Sequence, residues 1–283
     1  MFPDNNKLAQ AAAFYAIALG LAIVIALCMT PIGRDALFLT MFAPLVAVIA
    51  CRVLIPEGTP FRLSEIGLSR LGLRHWPFAL LVPLVAILPG YLLVWTTGIA
   101  DVAALPEDAD VVRMAVRFAV SIVLGAAFGA LGEEVGWRGY LLPRLADALG
   151  IGKAGLLTGF LHGVWHLPLI LLTPYYLSDA PALVVVPLFL TLLTLSGPVF
   201  AHLRFASGSI VPVALMHHAW NGYWDTLSKI TVGDNTALVA CLAGESGIAS
   251  IVMMAAVCLW LARRGGGTRT SVAVPAILAA IFR

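Results

Sequence analysis

The chain is 283 residues long, 61% hydrophobic and 11% charged, with a formal net charge of +2. A soluble domain carries roughly a quarter of its residues as charges, so this composition excludes a water-soluble globule and leaves a polytopic membrane protein. The four cysteines, Cys28, Cys51, Cys241 and Cys258, stand far apart in apolar sequence, which indicates neither a disulfide framework nor a cysteine-based zinc site.

Apolar runs long enough to cross a bilayer, about 20 residues each, fall near 8–30, 35–55, 76–98, 113–143, 152–174, 181–204, 208–229 and 237–263. The expected fold is an all-α bundle of about eight transmembrane helices, a single integral membrane domain over 1–283 with its site in the bundle interior. The first run reads as a span, because it exceeds the apolar core of about 7–15 residues found in a signal peptide. Arg52, Arg62, Arg70 and Arg74 fall between the second and third runs, whereas Asp101, Glu107, Asp108 and Asp110 fall between the third and fourth. The positive-inside rule puts the first of these loops in the cytoplasm, and eight alternating spans then put both termini there as well. Pro83, Pro89, Pro168, Pro187 and Pro198 lie inside runs and predict kinks. After the last run, "RRGGGTRT" reads as a flexible connector, and "SVAVPAILAAIFR" is too short to span and is expected along the interface.

Ionisable groups inside a span cost roughly 2.5–3.5 kcal/mol each on insertion scales, so they mark the first place to look for function. In "FGALGEEVGWRGYLLPRL", residues 128–145, Glu134 and Arg138 are four apart and share a helical face as an ion pair. Glu133 is left without a local partner. In "GFLHGVWHLPLI", His162 and His166 are four apart on one face, a spacing that suits two ligands of one metal or two members of a polar cavity. In "VALMHHAWNGYWD", His217 and His218 stand four and three residues before Asn221, and spacing does not choose between them.

Acid, imidazole and carboxamide on three spans converge only in the bundle interior, where intramembrane polar groups must face. A water held between carboxylate and imidazole can be deprotonated for attack on a carbonyl, with further donors for the oxyanion. That is the equipment of a hydrolase. No serine sits in a GxSxG context, and neither GxGD nor HExxH occurs, which disfavours serine, presenilin-type and zincin-type chemistries. Trp137, Trp165 and Trp220 adjoin these residues and are candidates to wall the cavity and control water entry.

The three groups resemble the CPBP or Abi family, which includes type II CAAX prenyl endopeptidases and bacterial bacteriocin-processing or immunity proteins. Its pattern is EExxxR, then a Phe or Trp four residues before a His, then HxxxN, on successive helices. Glu133 to Arg138 match the first motif in full, and His217 with Asn221 match the third, which selects His217 over His218. The second motif is a partial match, since His162 stands where Phe or Trp is usual. The match covers about 125–225, the catalytic core.

The resemblance implies that Glu133 is the general base, that His166 helps hold the water or a metal, and that His217 and Asn221 supply the oxyanion side. Glu134 and Arg138 would brace the site, with His162 an extra polar contact or an additional metal ligand. It also implies a bound zinc ion, for which Glu133, His166 and His217 are the candidate ligands. The expected activity is that of a glutamate-dependent intramembrane metalloendopeptidase. Its substrate would be a membrane-associated peptide or protein: a CAAX-type tail, a leader peptide or a regulatory membrane protein. The bilayer is the other partner, no nucleic-acid partner is expected, and a bacterial plasma membrane is the implied location. The alternative is a non-proteolytic bacteriocin-immunity or scaffold protein of the same fold.

Overall fold

Long apolar runs interrupted only at Pro, Gly and charged loops fold as helices in the computed structural model, which describes residues 5–55, 62–173 and 179–264. Nine helices occur among these residues: α1 Asn5–Met29, α2 Ala43–Leu54, α3 Trp76–Thr96, α4 Val111–Leu149, α5 Ile151–Leu172, α6 Ala182–Ser207, α7 Val211–Lys229, α8 Thr236–Leu242 and α9 Ile248–Arg264. Short 3₁₀ turns at Arg34–Phe42 and Leu73–His75 lead into α2 and α3. Proline occupies the first turn of α2, α3 and α7, where its missing N–H has no helical acceptor to lose. Asp110 starts α4 by accepting the Arg113 N–H at 2.9 Å, a side-chain cap on one of the unpaired N-terminal donors.

Six helices, α1 to α6, are long and apolar enough to cross a membrane, the 3₁₀ turns before α2 and α3 included. The helical membrane bundle therefore stands, but the count of eight does not follow from length and composition. The seventh expected run folds as α7, 19 residues long, and His217, His218, Asn221, Asp225 and Lys229 dilute its apolar character. The eighth breaks at residues 243–247 into α8 and the 17-residue α9. Two glycines permit that break: a Cβ on Gly244 would lie 2.4 Å from the Ala240 carbonyl oxygen, and one on Gly247 would lie 2.6 Å from that of Leu242. The expected connector and interfacial tail lie outside the described residues.

Two further features depart from a plain bundle. A two-residue antiparallel ribbon, β1 Asp101–Val102 with β2 Thr231–Val232, pairs Asp101 with Val232 and ties the end of α3 to the end of α7. Helix α4 also contains two wide, π-helical stretches, Ala126–Ala130 and Val135–Leu141, on either side of Glu133 and Glu134. Pro143 offers no N–H to the Gly139 carbonyl, one reason the ordinary ladder fails there. Such bulges are rare and frequent at functional sites.

Two buried clusters organise the interior. One gathers Ala79, Phe200, Met216, Ala219 and Met254 from α3, α6, α7 and α9; the other gathers Phe14, Ala47, Trp137 and Trp165 from α1, α2, α4 and α5. Helices α5 and α6 approach closely through glycines. A Cβ on Gly159 would sit 2.2 Å from the Leu193 carbonyl oxygen, and one on Gly197 would sit 2.1 Å from that of Gly155. This is the small-residue packing by which membrane helices gain contact without a hydrophobic drive. Outside, Leu183 is 88% and Val112 74% exposed, surface that suits lipid rather than water.

Candidate active site

A cavity of about 510 Å³ has Glu133, Arg138, His162, His166, His217 and Asn221 in its wall. Helix α4 brings the two glutamates and Arg138, α5 the two histidines, and α7 His217 and Asn221. Glu133 is 2%, Glu134 0% and Arg138 2% exposed. Three charged side chains at that depth demand partners.

Glu134 finds two. Arg138 Nη1 donates to Glu134 Oε1 at 2.8 Å and to Oε2 at 3.1 Å, the ion pair that the four-residue spacing predicts. His217 Nδ1 donates to the same Oε1 at 2.8 Å. A carboxylate only accepts, so this contact fixes the proton on Nδ1 of His217; His218 lines the same cavity without a contact to Glu134. His218 instead packs its ring into the notch at Gly125, where a Cβ would lie 1.9 Å from His218 Nε2.

Glu133 finds its partner on α5. His162 Nε2 lies 2.9 Å from Glu133 Oε2, while Arg138 Nη1 lies 3.4 Å from His162 Nδ1. Guanidinium has no acceptor, so Nδ1 accepts and Nε2 carries the proton to the glutamate. The residue that departs from the usual second motif is thus the one in direct contact with Glu133. Its ring stacks on Trp137 at 4.8 Å, tilted by 31°, the place that an aromatic residue would fill.

One ligand atom each from Glu133, His162 and His166 lie within 4.8 Å of one another. The donor set, two imidazoles and a carboxylate, is one that zinc takes in catalytic sites with a position left open. The expected set contained His217 in place of His162. His217 lies outside the group; its Nδ1 is engaged by Glu134 and its ring stands 5.9 Å from that of His162.

The remaining walls are aromatic and aliphatic. Phe200 lies under the Arg138 guanidinium at 4.2 Å, and Phe189 meets the His166 ring edge-on at 5.3 Å. Trp220 lines the cavity as anticipated. Trp137 and Trp165 are fully buried behind the histidines, and the Trp165 indole N–H is anchored on the Ala18 carbonyl at 3.0 Å.

Motif reading missed two residues. Arg204, 7% exposed, donates from Nε to the Arg138 carbonyl at 3.1 Å, a carbonyl inside the second wide turn of α4. Its signal was a cation within the last turns of an apolar helix. Glu245 lines the same cavity from the break between α8 and α9, and an acid inside the run 237–263 was the signal for it.

Residues 115–223 match the family model described as type II CAAX prenyl endopeptidase Rce1-like. The matched segment contains all three motif groups. No curated protein matches the chain.

Proposed function

We propose that this chain, a member of the CPBP (CAAX protease) family by residues 115–223, is an intramembrane endopeptidase that uses Glu133 to activate water against a peptide bond of a lipid-anchored substrate. The observation that carries this reading is the buried Glu133–His162 pair at 2.9 Å on the wall of a cavity large enough for an extended peptide. Apolar side chains around it, among them Phe118, Leu169, Phe189 and Leu192, favour a hydrophobic or prenylated tail such as a CAAX end.

In this mechanism Glu133 takes a proton from water as the oxygen attacks the scissile carbonyl carbon. His162 holds the glutamate, and His166 flanks the water. His217, fixed through Nδ1 by Glu134, and the Asn221 carboxamide face the developing oxyanion. The proton then passes from Glu133 to the amide nitrogen as the C–N bond breaks, leaving a carboxylate and an amine. Glu133, His162 and His166 would hold a zinc ion once His162 Nε2 gives up the proton it shares with Glu133, and the ion would then acidify water and polarise the carbonyl. Arg52, Arg62, Arg70 and Arg74 support an orientation in which the loop before α3 faces the cytoplasm.

The test is cleavage of a farnesylated CAAX peptide and of a lipidated leader peptide by purified protein in detergent, scored by mass spectrometry. General-base catalysis contributes about 10²–10⁴ in rate, so Glu133→Gln is expected to lower cleavage by that factor while retaining the wild-type unfolding temperature. Cleavage at the wild-type rate by this variant overturns the assignment.

A further inference from the structure

The main cavity does not end at the site described above. At its far side it meets a second cavity of about 200 Å³, and the side chains common to both linings are Trp224 and Glu245. Glu245 is presented by the turn between α8 and α9. That turn is held against α3, where a Cβ on Gly90 would come 3.0 Å from Ala243 Cα. Among the described residues the Glu245 carboxylate has no hydrogen bond or ion pair; the imidazole of His217 acts on it only through space.

A half-buried carboxylate without a partner is costly unless something supplies one. The second cavity supplies no cation: its described lining holds Asp179 and Glu245 but no Lys, Arg or His. It does supply two aromatic side chains, Tyr91 and Trp224, and the hydroxyls of Ser228 and Thr231. Aromatic faces beside a carboxylate are the surroundings that attract an ammonium or guanidinium group.

We infer that Glu245, with Trp224 beside it, is a specificity-determining subsite for a cationic side chain of the peptide whose scissile bond lies at Glu133. The peptide enters the main cavity, crosses the Glu133–His162 end, and places a Lys or Arg a few residues away against Glu245. The identity of the ligand as substrate rests on the endopeptidase reading; its binding does not.

The experiment measures binding apart from cleavage. Fluorescein-labelled, farnesylated heptapeptides carrying a single lysine walked along the sequence are titrated by anisotropy onto full-length Glu133→Gln protein in nanodiscs, beside norleucine counterparts. A charge-assisted hydrogen bond in a sheltered site predicts about tenfold tighter binding of lysine over norleucine at one position. Glu245→Gln in the same background is expected to bring that ratio to about 1. Glu245→Lys is expected to prefer a glutamate peptide at the same position, a gain that a misfolded protein does not show. Equal binding of lysine and norleucine at every position, or a lysine preference that survives Glu245→Gln, overturns the inference. A Glu245-dependent preference in a protein whose wild type cuts none of these peptides leaves the subsite standing and removes the endopeptidase reading.

Discussion

One buried carboxylate, Glu134, serves two donors on two helices, Arg138 and His217. Removing it strands the Arg138 charge and frees the His217 ring together. Breaking a buried pair by deleting one partner costs about 3–5 kcal/mol, so Glu134→Ala is expected to lose most of its stability as well as its activity, read as a fall in unfolding temperature in detergent. His162 gives the contrasting case. His162→Phe keeps an aromatic ring against Trp137 and removes the hydrogen bond to Glu133, the longer contact from Arg138 and one candidate metal ligand. It is expected to unfold near the wild-type temperature and to cleave about 10–100-fold more slowly, the value of a hydrogen bond to a charged group. Wild-type cleavage by this variant would mean that Glu133 needs no support from α5.

At the scale of elements, α4 and the α5–α6 contact decide where the site residues stand. The second wide turn of α4 leaves the Arg138 carbonyl to Arg204 on α6, so the brace of the site is itself held from a neighbouring helix. The α5–α6 contact depends on glycine at 155, 159 and 197. Gly159→Ala puts a methyl group 2.2 Å from the Leu193 carbonyl oxygen, which is backbone and cannot rotate away. An overpacking cost of about 1–3 kcal/mol is expected, with α5 displaced and His162 and His166 carried off register. Unfolding temperature and cleavage rate should fall together, and an unchanged rate would show that the helix contact does not set the histidines.

Across the whole molecule, the site draws its residues chiefly from α4, α5, α6 and α7, with apolar surface exposed outside the bundle. Orientation is tested by thiol labelling in sealed cells. Asp108, in the loop before α4, and Arg74, in the 3₁₀ turn that leads into α3, are both exposed, and a membrane-impermeant maleimide is expected to label Asp108→Cys and not Arg74→Cys until the cells are opened. The reverse pattern would invert the orientation. The sequence alone determined the membrane class, the first six helices and the Glu134–Arg138 pair, because apolar run length and a four-residue offset are local properties that any neighbour leaves intact. It also delivered Glu133, His166, His217 and Asn221 to one cavity by the rule that buried polar groups face inward. Only the tertiary structure decided that His162 rather than His217 stands with Glu133 and His166, that α4 widens on both sides of the glutamates, and that Glu245 faces the same space. Each of those depends on which helices adjoin and at what rotation, which is set by glycine-mediated packing and by hydrogen bonds between residues up to 147 positions apart. No periodicity within a single helix encodes them.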